Sequence, residues 1–250
     1  MLKITVITVT FNARRTVRRT LDSVAAQDHP AVEHIVIDGA STDGTFDIIR
    51  GHEKNLARYI SEPDEGIYDA MNKGLDLASG DIVCFLNADD FYASPQVLGR
   101  VANEIENLGI DALIGDLAYF SPENPEKIAR RFNSGRFNPK RLAYGWVPAH
   151  AAFFLKREIY EIVGRFKTDY RIAGDFEFFA RAFSKANIHY GYLPEILVKM
   201  QLGGISNAGL GARLLSHREI LRACRENGLE TGAWKLSLRY PMKLLELFRR

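Results

Sequence analysis

The chain has 250 residues, 46% hydrophobic and 26% charged, with a formal net charge of +2, the composition of an ordinary globule able to bury a core. No apolar run approaches the roughly 18–20 residues needed to cross a bilayer, which excludes a spanning helix. Two cysteines, Cys84 and Cys224, are too few for a disulfide framework, and Cys84 lies in an apolar run that reads as buried strand.

In chain order, residues 4–9 (ITVITV) are β-branched throughout and predict a buried strand. Val17, Leu21, Val24 and Ala25 are spaced for a helix over 14–26. A second strand, 34–38, stops at Gly39, and a helix over 43–54 follows with Thr42 or Asp43 as its cap. Residues 58–61 form a short strand, and Ile67, Met71, Leu75 and Ala78 mark a helix face that ends at Gly80. A strand over 82–86, a helix over 95–108 and a strand over 111–115 complete the alternation.

Such alternation predicts an α/β fold with a largely parallel sheet, right-handed crossovers and helices on both faces. Ligands of these sheets collect at the carboxyl ends of the strands. Thr10, Asn12, Asp38 and Asp89 each follow the apolar part of a strand, so one rim of the sheet is reached four times.

The pattern changes after 116. Segments 117–120 and 128–132 read as a hairpin around Pro122 and Pro125, and 133–148 as a loop. Helices are expected over 156–164 and 174–185, and two strands over 188–200, broken at Pro194. A GGISN turn at 203–207 precedes two C-terminal helices, 209–227 and 232–248. The expected division is a catalytic-type domain over 1–208 and a basic helical extension over 209–250.

Charge is uneven along the chain. Residues 210–250 hold nine Lys/Arg against four Asp/Glu, and a second basic cluster comprises Lys127, Arg130, Arg131, Arg136, Lys140 and Arg141. These read either as solvated surface or as contacts to an anionic partner such as a membrane face or lipid diphosphate. The mixture of Trp234, Leu236, Leu238 and Leu245 with Lys235, Arg239 and Lys243 suits a helix on a membrane surface, on the core or on another subunit. The first residues, MLKITV, lack the zones of a secretory signal, so the expectation is a cytoplasmic protein, at most peripheral on the inner membrane face. The remainder of the chain is slightly acidic, against nucleic-acid binding, and no G-x-G-x-x-G follows the first strand, against a dinucleotide dehydrogenase.

Two stretches carry chemistry. The apolar run 82–86 leads straight into Asn87, Asp89 and Asp90, oxygen donors suited to Mg2+ or Mn2+ with substrate phosphates, or to a turn before the next helix. Asp38 precedes GASTDGT, where a carboxylate can accept from a ring N–H or ribose hydroxyls while Gly39 and Gly44 allow close approach. A helix N-cap assembly at Ser41, Thr42 and Asp43 is the second reading of that turn.

Six blocks now stand in order: VITVTFN (6–12), VIDGASTDGT (36–45), SEPDEGIYDAMNKGLDLASGDIVCFLNADD (61–90), HAAFF (150–154), IAGDFEFFAR (172–181) and LGGIS (202–206). In these the chain resembles the inverting, nucleotide-sugar-dependent glycosyltransferases of family 2, with the GT-A fold, and looks closest to the bacterial branch that builds exopolysaccharide, capsule or O-antigen units. The resemblance implies a UDP-sugar donor and a carbohydrate or polyprenyl-diphosphate-linked acceptor, and it is compatible with an oligomer. It implies that Thr10 and Asn12 line the nucleotide pocket, that Asp38 meets the base, and that Tyr68, Asn72 and Lys73 face the donor. It places the D-x-D element on Asn87-Ala88-Asp89, with Asp89 as the metal-binding acid and Asn87 replacing the first acid.

The resemblance also implies that Asp175 is the catalytic base, which the chemistry requires because an attacking hydroxyl must lose its proton. A helix N-cap is the other reading of Asp175, and Glu177 is the second candidate base. Arg181, the GGIS turn and His150 are candidates to stabilise the leaving diphosphate, with Arg181 alternatively orienting Asp175. The alternative to an enzyme is a non-catalytic nucleotide-sugar-binding component of a polysaccharide assembly complex, which Asn87 favours.

Overall fold

The β-branched run at the N-terminus forms β1 (Ile4–Thr10), buried along its whole length. The computed structural model describes residues 1–121, 124–202 and 209–237. After β1 come α1 (Val17–Ala25), β2 (Val32–Asp38), α2 (Thr45–Gly51), β3 (Arg58–Ser61), α3 (Ile67–Leu77), β4 (Ile82–Phe85), β5 (Asp90–Tyr92) and α4 (Val97–Leu108). The second half contains β6 (Ala112–Ser121), β7 (Asn124–Phe132), β8 (Phe153–Lys156), α5 (Arg157–Val163), α6 (Gly174–Lys185), β9 (Tyr190–Gln201), α7 (Leu210–Glu226) and α8 (Ala233–Ser237).

The sheet runs β3-β2-β1-β4-β8-β6-β9-β5, with β7 on β6. Strands β1, β2, β3, β4, β6 and β9 point one way, as the alternating pattern predicts, and β5, β7 and β8 run against them. Period-2 alternation sends successive side chains to opposite faces. Ile7, Val9, Ile35, Ile37, Val83 and Phe85 pack against α3, α5, α6 and α7 on one face. Ile4, Val6, Ile82 and Cys84 pack against α1 and α4 on the other. Helices thus cover both faces.

Three departures from the expected elements matter. Strand β8 is not expected from the sequence, because four residues between a turn and a helix carry no periodicity; it pairs antiparallel with both β4 and β6. Segments 111–115 and 117–120 fuse into β6. The expected break at Pro194 is a bulge inside one strand: Leu193 pairs with Gly115 and Ile196 with Asp116, leaving Pro194 and Glu195 outside the ladder. Proline lacks the N–H a ladder needs, and the bulge absorbs it without ending the strand.

Both cysteines are buried, and burial pushes Cys84 up to about 12 and Cys224 to about 11, as for inert structural thiols. From the C-terminal segment, Ile220, Ala223 and Cys224 of α7 join the same core as Phe176, Phe178 and Phe179 of α6. The GGIS turn, Pro122 and the expected helix beyond 237 lie outside the described residues. Among the described residues no helix is long and apolar enough to cross a membrane.

Glu33 ties the starts of β1 and β2 to the turn between α3 and β4. Its carboxylate accepts from Lys3 Nζ (2.7 Å), Thr5 Oγ1 (2.6 Å), Ser79 N (2.7 Å) and Ser79 Oγ (2.6 Å). Burial opposes the charged form, but these donors outweigh it and bring the carboxyl to about 2. A depressed folded pKa gives stability that is present above the unfolded value and lost as pH falls through the folded one. Glu33→Gln is therefore expected to cost roughly 1–2 kcal/mol at pH 7, after discounting for solvent screening. Urea titrations should show that difference shrinking as pH falls from 4.5 toward 2.

Candidate active site

Thr10 pairs with Asp38, so β1 and β2 end level and their loops meet. Asn12 and Ala40 adopt left-handed backbone, with φ of 49° and 57°, which is uncommon outside glycine. Asn12 N donates to Ser41 Oγ (2.8 Å) and Thr42 N donates to Asn12 Oδ1 (3.0 Å), stitching the loops together. The fully buried Asp38 carboxylate accepts from Ser41 N (3.0 Å), Ser41 Oγ (2.5 Å) and Ser61 Oγ (2.6 Å). Asp38 thus stands at the expected rim and organises the loop around it.

Asp64 is a rim residue that the sequence reading passed over. Its carboxylate lies over Gly39, where any Cβ would collide with it, and accepts from Gly66 N at 2.9 Å. The signal was available as the acid inside the SEPDEG block. Phe11, 65% exposed, stands at the same place, beside Gly39.

The chain leaves the sheet after β4 and re-enters as β5, and the link is the Asn87–Asp90 turn, closed by Asp90 N to Asn87 O at 3.0 Å. Ala88 is buried against Val17 and Leu21 and fixes the turn to α1. Buried side-chain polar atoms almost always find partners. Among the described residues five have none: Thr10 Oγ1, Asn87 Oδ1, both Asp90 carboxylate oxygens and Trp146 Nε1. Four of the five sit at the carboxyl ends of β1 and β4. Burial pushes the Asp90 carboxyl well above the usual range, the Asp89 charge adds to the rise, and Arg19 opposes it. Burial also raises Asp89, against His150 and Arg19.

Oxygen donors of this kind fit a hard divalent cation. Among the described residues no three His, Cys, Asp or Glu side chains converge, and Asn87, Asp89 and Asp90 are the oxygen-bearing residues at this turn that could take part in holding one.

Asp175 is the second residue of α6, and its Oδ1 accepts from Phe176 N at 2.7 Å. It closes an apolar recess with Met71, Phe85, His150, Phe153, Tyr160, Phe166, Phe178 and Phe179. Burial pushes its carboxyl up, and His150 pulls partly back. His150, from the 3-10 turn before β8, approaches Asn87 Nδ2 with its Nε2 at 3.4 Å. It acts electrostatically on both Asp89 and Asp175. The fold thus brings Asn87, Asp89, His150 and Asp175, from three distant blocks, to one place.

The α3 residues hold the walls of this site. Tyr68 donates its hydroxyl to Ile172 O and accepts from Gly174 N, both at 2.9 Å. Gly174 has to be glycine, because a Cβ would enter the Tyr68 ring. Asn72 pairs with the Phe166 backbone in both directions, at 2.9 and 3.0 Å. Lys73 binds Glu62 (2.8 Å) and Pro63 O (2.9 Å), pinning the 62–66 segment that carries Asp64.

Arg181 stands apart from Asp175. It binds Glu177 (2.9 Å), Arg165 O (2.7 Å), Gly164 O (3.1 Å) and Val163 O, and so clamps the carbonyl end of α5. An arginine four residues after Glu177 and facing a helix C-terminus is placed for that structural task. Glu177 is fully buried; burial opposes its ionisation, but Arg181 and Lys167 hold its carboxyl below the ordinary range, which makes it a poor base.

The model of "Glycosyl transferase family 2" matches residues 5–172. The "PGL/p-HBAD biosynthesis glycosyltransferase" of Mycobacterium bovis (strain BCG / Pasteur 1173P2) is 33% identical over 210 residues, 81% of this chain and 78% of the relative. Among solved structures, S. aureus TarS 1–349 in complex with UDP-GlcNAc superposes with a TM-score of 0.72 at 21% identity, over 93% of this chain and 69% of that one. The match spans 43% of a longer TarS chain. The mannosyltransferase PcManGT from Pyrobaculum calidifontis, in complex with GDP-Man and Mn2+, gives 0.64 at 19% identity, over 98% and 81%. A family model covering most of the chain, a relative one-third identical over most of both lengths and a shared α/β architecture agree: the chain belongs to glycosyltransferase family 2 and has the GT-A fold.

Proposed function

We propose that the protein transfers a sugar from a nucleoside diphosphate donor, a UDP-sugar, to a carbohydrate or polyprenyl-diphosphate-linked acceptor in cell-surface polysaccharide synthesis, with inversion. The observation that carries this reading is the group of buried polar atoms at Thr10, Asn87 and Asp90 that have no partner among the described residues, with Asn87 beside His150 and His150 acting on Asp175. Unpaired buried oxygens cost stability, and a charged ligand that meets them explains their position.

In this reading the Asn12, Asp38 and Ser41 loops hold the nucleotide, with the rigid Asp38 carboxylate toward the base. Tyr68, Asn72 and Lys73 keep the donor side in shape through the backbone segments they bind. Asn87, Asp89 and Asp90 would hold Mn2+ or Mg2+, which neutralises charge growing on the leaving diphosphate. Asp175 takes the proton of the acceptor hydroxyl as its oxygen bonds to the anomeric carbon and the bond to diphosphate breaks. The apolar recess suits that task, because burial raises the affinity of Asp175 for the proton. Attack from the face opposite the leaving group inverts the anomeric centre. The basic C-terminal segment would hold the protein at the inner face of the membrane, near a lipid-linked acceptor.

The test is a panel of UDP- and GDP-sugars with Mn2+ or Mg2+ and candidate acceptors. The expected result is release of nucleoside diphosphate and a product of inverted anomeric configuration by NMR. Donor binding without turnover across the panel would instead identify a non-catalytic nucleotide-sugar-binding component.

A further inference from the structure

The carbonyl-free side of the loop before α6 is unusually well held. Glu219, on α7, is 7% exposed and lies beyond the stretch matched by the family model. Its Oε1 accepts from Arg171 N (2.9 Å), and its Oε2 from Ile172 N (2.9 Å) and Ala173 N (2.8 Å). The next amide, Gly174 N, goes to Tyr68. Four consecutive backbone N–H groups are therefore taken by two side chains, one from α3 and one from α7, and Asp175 follows immediately.

We propose that Glu219 is a positioning residue for catalysis: from the C-terminal helix it fixes residues 171–173 and so sets where Asp175 meets the acceptor hydroxyl. This rests on Asp175 being the base. Three converging N–H donors are matched to a carboxylate, and a neutral side chain of the same shape satisfies them only in part. Placement of a base within hydrogen-bond reach is steep in distance, since about 1 Å of error costs on the order of 10²-fold. The fold explains why the anchor comes from α7: Ile220, Ala223 and Cys224 pack into the α6 core, so Glu219 is carried on a rigid element.

Glu219 also acts electrostatically on the Asp175 carboxyl. The groups that act on the Asp175 carboxyl are His150 from the turn before β8, Glu219 from α7 and, from α3, the neutral Tyr68 hydroxyl. On its own helix, Glu177 is held in ion pairs with Arg181 and Lys167. His150 lowers the Asp175 pKa and Glu219 raises it.

The experiment compares Glu219→Gln, Tyr68→Phe and Asp175→Asn in the full chain, using the donor and acceptor that turn over in the panel. For Glu219→Gln, kcat should fall roughly 10–100-fold with donor KM unchanged. The acid limb of its kcat–pH profile should move to lower pH, because a negative neighbour is gone. Amides 171–173 should exchange hydrogen faster. Tyr68→Phe loosens the same segment without removing a charge, so it should lower kcat with the limb in place. If Glu219→Gln folds poorly, Glu219→Asp keeps the charge but draws it back from amides 171–173, and wild-type kcat in that variant would overturn the proposal. Faster exchange in Glu219→Gln with wild-type kcat and an unmoved limb would overturn the proposal while leaving Asp175 as base. Full activity in Asp175→Asn would instead overturn the base assignment and this proposal with it.

Discussion

Asp175→Asn is expected to lower kcat for sugar transfer by about 10²–10⁴-fold, the usual contribution of a general base. The substitution keeps the shape of the side chain and an oxygen for Phe176 N, so donor affinity by calorimetry should stay within about twofold. What it removes is the charge that, in the proposed mechanism, takes the acceptor's proton. Loss of folding gives a different signature. Burial raises the Asp175 carboxyl, so its charge costs stability at pH values above the folded pKa, and that cost fades as pH falls and the group protonates. The Asn variant should thus be at least as stable as the parent at pH 8 in a thermal melt. A kcat within threefold of the parent would place the base elsewhere.

The second large effect concerns Asp90, whose two buried oxygens have no partner among the described residues. Burial holds its carboxyl well above the ordinary range, and a buried polar group left without a hydrogen-bond partner costs roughly 1–3 kcal/mol. Asp90→Asn should raise the melting temperature of the metal-free protein, by about 2–4 °C per kcal/mol recovered. With Mn2+ present throughout and UDP at about 100 times its dissociation constant, the parent should gain about 2.7 kcal/mol from UDP, and Asp90→Asn should lose most of that gain. The two shifts have opposite sign, so stability and ligand response separate in one melting experiment. An Asp90→Asn protein that gains as much as the parent from Mn2+ and UDP would remove this carboxylate from the ion's surroundings. In the proposed site Asn87 would act in the same direction: an amide oxygen would bind an ion without contributing charge, and the diphosphate would supply more of the attraction.

Much of this was legible in one dimension because local patterns carry it. The strand–helix alternation of residues 4–115 dictates a mainly parallel sheet, and a parallel sheet gathers its polar strand ends on one rim, so Thr10, Asp38 and Asp89 are readable as neighbours. Short or bent strands are not readable that way. β8 has four residues, and β9 hides Pro194 in a bulge whose existence depends on its partner β6. Periodicity needs length, and a bulge is a property of two strands.

Residue types at strand ends and helix starts were settled by the sequence itself, since burial pattern and turn chemistry follow from neighbours a few positions away. The tertiary structure alone decided which side chains gather at the rim and which hold the scaffold. Arg181, six positions from Asp175, turned out to clamp α5, while Glu219, forty-four positions on, reaches the loop that carries Asp175. Hydrogen-bond partners are chosen by distance in space, and only packing of α7 against α6 sets that distance.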